Sequence, residues 1–330
     1  MSGMTKLQGR EAGGFGAFVK RIFQIREIVI FLLVFVLCVF MAMKHPQFLT
    51  LANVRIIGNY MSTDMIIGAF LTISLIAGNT DFSVGSNLGC SAFVCGLMLN
   101  KGLPIPVAMA LGLLTGCAIG FLNGFIINNF KVLPMIATMG TWMTFKGAGL
   151  MIINSSSLGN FPMEFKAIVQ DGDIMGIPLM MVVMILVTVI AAVLLKYVSF
   201  FHQAYFIGSN PESARLSGIN VKKFVYVLYT IIGFFAAVAG VLSISRYGSA
   251  PSSLGQGVEF RVISGLLIGG VSLNGGEGSI MGTFLGILLM ALISNALTLF
   301  AIDTNLQNVL IGMIMIISVA VDEANRRRQK

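Results

Sequence analysis

The sequence predicts an all-α polytopic membrane protein with about ten transmembrane helices, some of them short or broken. Three observations predict it. Of the 330 residues, 56% are hydrophobic and only 10% are charged, whereas soluble domains carry about 25% charged residues. Apolar runs close to the roughly 20 residues that cross a bilayer recur along the whole chain. The net charge of +8 is concentrated at the two ends and in one internal loop, as in a membrane-topology signal rather than a nucleic-acid-binding surface.

The expected spans are 28–43, 54–77, 84–100, 105–128, 134–155, 176–198, 224–245, 259–273, 280–300 and 306–321. The eighth is short enough to be a half-helix. The first begins late and lacks a small-residue cleavage site after it, so it is expected to remain as an anchor rather than to be removed as a signal peptide. Lys6, Arg10, Lys20, Arg21 and Arg26 precede it, and Arg326, Arg327, Arg328 and Lys330 follow the last span. Basic flanks favour the cytoplasmic side. Both ends are therefore expected there, with an even number of crossings. The expected organisation is a cytoplasmic segment 1–27, a transmembrane unit 28–321 with a cytoplasmic loop 199–223, and a basic tail 322–330. Loop 199–223 holds Arg215, Lys222 and Lys223, whereas 156–173 holds Glu164, Asp171 and Asp173 against one Lys166 and is placed outside.

Cys38, Cys90, Cys95 and Cys117 lie in apolar runs without metal-ligand spacing and read as small packing residues. Gly112, Gly116, Gly120 and Gly124 recur every fourth residue, as do Gly278, Gly282 and Gly286. Each series gives a helix face of nearly bare backbone, suited to close packing within one chain or between subunits.

Two stretches interrupt the apolar pattern. Residues 76–89 read IAGNTDFSVGSNLG and 268–282 read IGGVSLNGGEGSIMG. With one residue inserted, Ile76 matches Ile268, Gly78 matches Gly270, Gly85 matches Gly278, Ser86 matches Ser279 and Gly89 matches Gly282. Gly78, Gly85, Gly269, Gly270, Gly275, Gly276 and Gly278 are expected to break helices, either in turns at the membrane edge or in a dip into it. Such breaks in corresponding halves of a chain mark transport pathways. Asp81, followed by Ser83 and Ser86, is expected to cap the third span. Asp64 stands well inside the second span, where an acid raises the expectation of a functional site, a polar link to another helix or a water-lined surface. Lys146 is expected either to snorkel to the outer surface or to face the pathway. Trp142 suits a sugar ring as well as ordinary packing.

The stretch 208–224, GSNPESARLSGINVKKF, predicts one short polar helix. Asn210 caps it, Pro211 opens it, Glu212 suits its positive end and Gly218 ends it. A long loop with its own helix suggests a docking element for a cytoplasmic partner. No phosphate-binding G-x-x-x-x-G-K-[ST] loop, H-E-x-x-H metal site or G-x-S-x-G nucleophile turn is present, which leaves no catalytic residue to name and sets an enzyme aside.

In order and spacing, GNTDFSVGS, NGFIINNFKVLPMIATMGTWMTFKG, GSNPESARLSGINV and GLLIGGVSLNGGEGSIMGTFLG resemble the signature regions of bacterial ABC-transporter permeases of the ribose, xylose and galactose importer type. The resemblance runs from about the first span to the last. It implies a fold of about ten helices related to the vitamin-B12-type importers, and a place in the bacterial inner membrane. It implies as partners a second permease subunit, a cytoplasmic ATPase carrying ATP and magnesium, and an external sugar-binding protein docked near 156–173 and 246–259. No cofactor is expected in the chain itself. Glu212, Ala214 and Gly218, with Ser213 in place of the commoner alanine and Pro211 and Arg215 in the same element, match the E-A-A-x-x-x-G loop that couples permease to ATPase. Asn79 and Thr80 stand where the family has glycine and an apolar residue, Asp64 where an apolar or amide residue is usual, and Lys146 where arginine is common. Asp64, Asn79, Asp81, Phe82, Asn123, Trp142 and Asn295 are the candidates for lining the path of a monosaccharide or polyol. The rival expectation is a secondary transporter with Asp64 or Asp81 as its ion or proton site.

Overall fold

A computed structural model describes residues 26–327. The basic residues Lys6, Arg10, Lys20, Arg21, Arg328 and Lys330 lie outside them. In chain order the helices are α1 (Arg26–Lys44), α2 (Leu51–Ile76), α3 (Val84–Asn100), α4 (Ile105–Phe130), α5 (Pro134–Ile152), α6 (Met163–Gln170), α7 (Leu179–Tyr197), α8 (Ser199–Ser209), α9 (Pro211–Leu216), α10 (Val221–Tyr247), α11 (Val258–Ile268), α12 (Ile280–Leu299) and α13 (Thr304–Arg327). A two-residue hairpin, Asp173–Ile174 against Ile177–Pro178, precedes α7.

Each expected span falls on a helix. Among the described residues, six helices are long and apolar enough to cross a membrane: α1, α2, α4, α7, α10 and α12. The chain is an all-α polytopic membrane protein. At 11 residues, α11 is about 16 Å long and cannot cross a bilayer alone. The apolar surface sits where lipid would cover it: Phe31, Leu32 and Phe35 of α1 and Leu186, Val189 and Val193 of α7 are exposed.

The interior centres on α2 and α10. From Met61 to Ile76 of α2 all residues but one are buried, because α8, α10, α11 and α12 surround its second half and α7 flanks it. The glycine series on α4 faces α10. A Cβ on Gly116 would strike Ala237 and the Gly233 carbonyl, and one on Gly120 would strike the Tyr229 carbonyl. Gly282 and Gly286 of α12 lie equally close to the carbonyls of Gly269 and Gly265 at α11. Both bare faces therefore pack within this chain.

Both interrupted stretches begin with the same turn. At the end of α2, Gly78 has φ 75°, its amide donates to the Leu75 carbonyl, and the Asn79 amide donates to the Ser74 carbonyl. At the end of α11, Gly270 has φ 87°, its amide donates to the Leu267 carbonyl, and the Val271 amide donates to the Leu266 carbonyl. A left-handed residue just past the last helical turn stops a helix this way, and glycine takes that conformation without a Cβ penalty. The likeness ends at the next helix. Ser279 caps α12 by accepting from the Gly282 amide, whereas Ser86 lies inside α3, whose first turn has no side-chain cap.

Candidate functional site

The residues around α9 behave as the sequence indicates. Asn210 Oδ1 accepts from the amides of Glu212 and Ser213. Gly218, at φ 82°, ends the helix, with its amide on the Arg215 carbonyl and the Ile219 amide on the Ala214 carbonyl. Ala214 is buried, whereas Pro211, Glu212, Ser213, Arg215 and Gly218 are exposed. Leu216 is 84% exposed, so an apolar side chain stands out from a polar helix. The sequence did not signal α8, which leads into α9 and ends beside both interrupted stretches. The Gly276 amide donates to the Ile76 carbonyl at 2.7 Å. Gly208 of α8 lies against Ile76 and Gly276, so closely that a Cβ there would overlap the Ile76 carbonyl. A Cβ on Gly275 would in turn lie 2.9 Å from Gly208 Cα. Gly78, Gly208, Gly275 and Gly276 therefore form one backbone junction at the α9 end of the bundle.

From this junction residues 79–83 run without helix into the interior. The Asn87 side chain at the first turn of α3 donates to the Gly116 carbonyl, and Gly116 is near the middle of α4. The first turn of α3 is thus inside the bundle. Backbone groups at that depth need partners, and side chains provide them. Tyr229 donates to the Thr80 carbonyl. The Phe82 amide donates to Thr138 Oγ1. Asp81 is 2% exposed, and its Oδ1 accepts from both the Ser83 amide and the Ser83 hydroxyl. Asn123 of α4 donates to that hydroxyl oxygen. Asp81 therefore orders the entry to α3 through Ser83 rather than capping the helix itself. Asn79 donates to the Ala77 carbonyl.

The candidate path residues fall into three groups. Asn79, Asp81, Phe82 and Asn123 gather along this extended entry. Trp142 joins them through Phe260, whose ring centroid lies 6.0 Å from that of Phe82 and 6.5 Å from that of Trp142; the Lys146 ammonium lies 5.2 Å from the Trp142 ring. Asn295 is elsewhere, in a reciprocal amide pair with Asn53 that links α12 to α2.

Asp64, at the middle of α2, takes both its hydrogen bonds from Arg261 of α11, from Nε at 2.7 Å and Nη2 at 2.8 Å. The guanidinium also lies over the Tyr60 ring. Sequence reading missed Arg261, although a cation in a short apolar run was a visible signal. It also missed Glu259, which falls where the expected outer loop 246–259 meets the expected span 259–273. Only part of 246–259 is superficial: Ser252, Ser253 and Gln256 are exposed, while Ala250, which pairs with Leu158, Gly255, Val258 and Glu259 are buried.

Comparison with known proteins shows the family of the chain. Residues 56–319 match the family described as branched-chain amino acid transport system / permease component. The ribose import permease protein RbsC of Bacillus subtilis is 31% identical, over 88% of this chain and 91% of its own. The probable ABC transporter permease protein YphD of Escherichia coli is also 31% identical, over 92% and 90%. The autoinducer 2 import system permease protein LsrD of Escherichia coli is 30% identical, over 79% and 80%. No solved structure matches the chain at a significant level.

Proposed function

The chain belongs to the family of ABC transport-system permease components, and from that premise we propose that it is the membrane subunit of an ATP-driven importer for a monosaccharide or related polyol. Family members are transport permeases rather than enzymes. The matched family is described by amino-acid transport and the relatives by ribose and autoinducer 2. Likeness to the ribose permease over 88% of this chain favours the polyol over the amino acid.

In this reading all ten spans, including the short ones, make up the membrane domain 28–321, in the manner of the vitamin-B12-type importers. Both termini and α9 face the cytoplasm of a bacterial inner membrane. The partners are a cytoplasmic ATPase, an external binding protein and a second permease subunit, most simply another copy of this chain. ATP with magnesium, held by the ATPase, supplies the free energy. Residues 211–218 dock on that ATPase, with exposed Leu216 as the apolar contact. The path follows the Phe82–Phe260–Trp142 face. The coupling requires only that the nucleotide states of the partner favour different permease conformations.

The observation that carries the proposal is the glycine junction. Motion received at α9 reaches both interrupted stretches through Gly208, with no flexible side chain between them. A rival carrier needs an available acid; Arg261 already neutralises Asp64, which leaves Asp81 and Glu259, among the described residues, as the buried acids such a carrier would have to use. Pull-down of the tagged chain in mild detergent, followed by mass spectrometry, tests the assembly. Recovery of an ATPase in stoichiometric amount is the expected result. A chain that purifies alone under conditions that preserve transport contradicts it.

A further inference from the structure

Glu259 has no part in the arrangement above. It is 1% exposed, in the first turn of α11 with the amides of Gly257 and Glu259 beside it, and among the described residues no side chain donates a hydrogen bond to either carboxylate oxygen. A buried carboxylate left so is costly, and in a membrane protein it marks a function that something else completes.

Its surroundings show what would complete it. The Arg261 guanidinium is committed to Asp64. Lys146 of α5 rests over Trp142. The first turn of α3 meets Glu259 at Gly85, where a Cβ would collide with Oε2 and with the Gly255 carbonyl. That turn has no side-chain cap, so the positive end of α3 favours charge or acceptors nearby. Beyond Gly85 and Gly255 is a narrow cleft lined by Ser86, Trp142, Lys146 and Gln256. Its free volume is ≈ 20 Å³, enough for about one water molecule and too small for a sugar. Phe260, adjacent in the chain, connects Phe82 to Trp142.

We propose that Glu259 is a cargo-contacting residue that accepts hydroxyl hydrogens from a neutral polyhydroxylated cargo once the 254–257 segment separates from Gly85 and Gly89. A carboxylate offers acceptors and no donors, so adjacent hydroxyls of a polyol complement it. Phe260 and Trp142 supply apolar faces for the carbon skeleton. In this conformation the contacts of Leu254 with Gly89 and of Gly255 with Gly85 cover the carboxylate. The inference rests on the importer reading and adds a residue to it.

The test uses the complete importer, with its ATPase and binding protein, in proteoliposomes, and a panel of radiolabelled pentoses and hexoses beginning with D-ribose. The readout is ATP hydrolysed per sugar moved. Loss of a charge-assisted acceptor in Glu259→Gln is expected to raise that ratio about tenfold, with Glu259→Asp between it and the wild type. A merely structural Glu259 would lower uptake and cargo-stimulated hydrolysis together and leave the ratio unchanged, which overturns the inference. So does a ratio within twofold of the wild type, or failure of both variants to assemble with the ATPase. A wild-type importer that moves none of the panel overturns the importer-cargo reading itself, and this inference with it.

Discussion

Arg261 holds Asp64 by two hydrogen bonds, at 2.7 and 2.8 Å, halfway along α2. The pair ties α11, too short to span, to the most buried of the six helices long enough to cross a membrane. Removing one partner strands a buried charge. Asp64→Asn or Arg261→Met alone is expected to cost about 3–5 kcal/mol, whereas the apolar pair Asp64→Leu with Arg261→Met recovers most of that loss. Thermal unfolding in detergent reads the difference. A double variant no more stable than the singles would show that the two residues do not act as a pair.

Gly208 makes the second prediction. A valine there has no room against Ile76 and Gly276, and overpacking of this kind costs about 1–3 kcal/mol. The junction must then open or α8 must shift. ATP hydrolysis is expected to continue while uptake falls. Uptake at the wild-type rate in Gly208→Val would remove the junction from the coupling route.

Asn210 fixes the start of α9. Asn210→Ala deletes the cap to Glu212 and Ser213, a loss of about 1 kcal/mol. The expected consequence is weaker retention of the ATPase on the tagged chain, with the overall melting temperature little changed. Gly218→Val, which forces a β-branched residue to φ 82°, is expected to have a larger effect in the same direction. Unaltered ATPase retention in both would place the docking surface elsewhere.

Two glycines on neighbouring helices separate packing within the chain from contact between copies. Gly116→Leu drives a side chain into Gly233 and Ala237 of α10 and is expected to prevent stable folding. Gly140, on the exposed face of α5, has nothing within 4 Å of a Cβ. Gly140→Ala is expected to stabilise an isolated chain by up to about 1 kcal/mol. If that face meets a second permease subunit, Gly140→Leu weakens the dimer without unfolding the chain, as light scattering during size-exclusion chromatography would show. A dimer insensitive to Gly140→Leu would place the subunit contact on another helix.

Much of the architecture was readable because each signal was local. Apolar runs gave most span boundaries to within about three residues, as with α3, though not the ends of α11 and α13 and neither α6 nor α8, and Asn210, Pro211 and Gly218 are a complete set of helix signals within nine positions. The first half of the apparent repeat was readable for the same reason, since Gly78 and Gly270 do the same work in the same turn. The rest depended on contacts that no local pattern records. Arg261 is 197 positions from Asp64. Asn295 seemed a path candidate until its amide was found paired with Asn53 across α2 and α12. Glu259 fell where the expected outer loop 246–259 meets the expected span 259–273 and drew no reading, because the sequence does not show that 254–257 folds inward against Gly85 and Gly89. That approach depends on two bare glycine backbones meeting, and a glycine in sequence does not reveal its neighbour.

The central claim is that transport by this chain is driven through α9 by a separate ATPase. Its most direct test is sugar uptake into proteoliposomes containing the chain, the recovered ATPase and the binding protein, with and without ATP on the ATPase side. The account predicts uptake only with ATP, abolished when the ATPase is omitted and unaffected by ionophores that collapse proton or sodium gradients. Uptake that proceeds without ATP or ATPase and stops when such a gradient is collapsed would contradict it, identifying a secondary carrier with Glu259 as the first acid to replace.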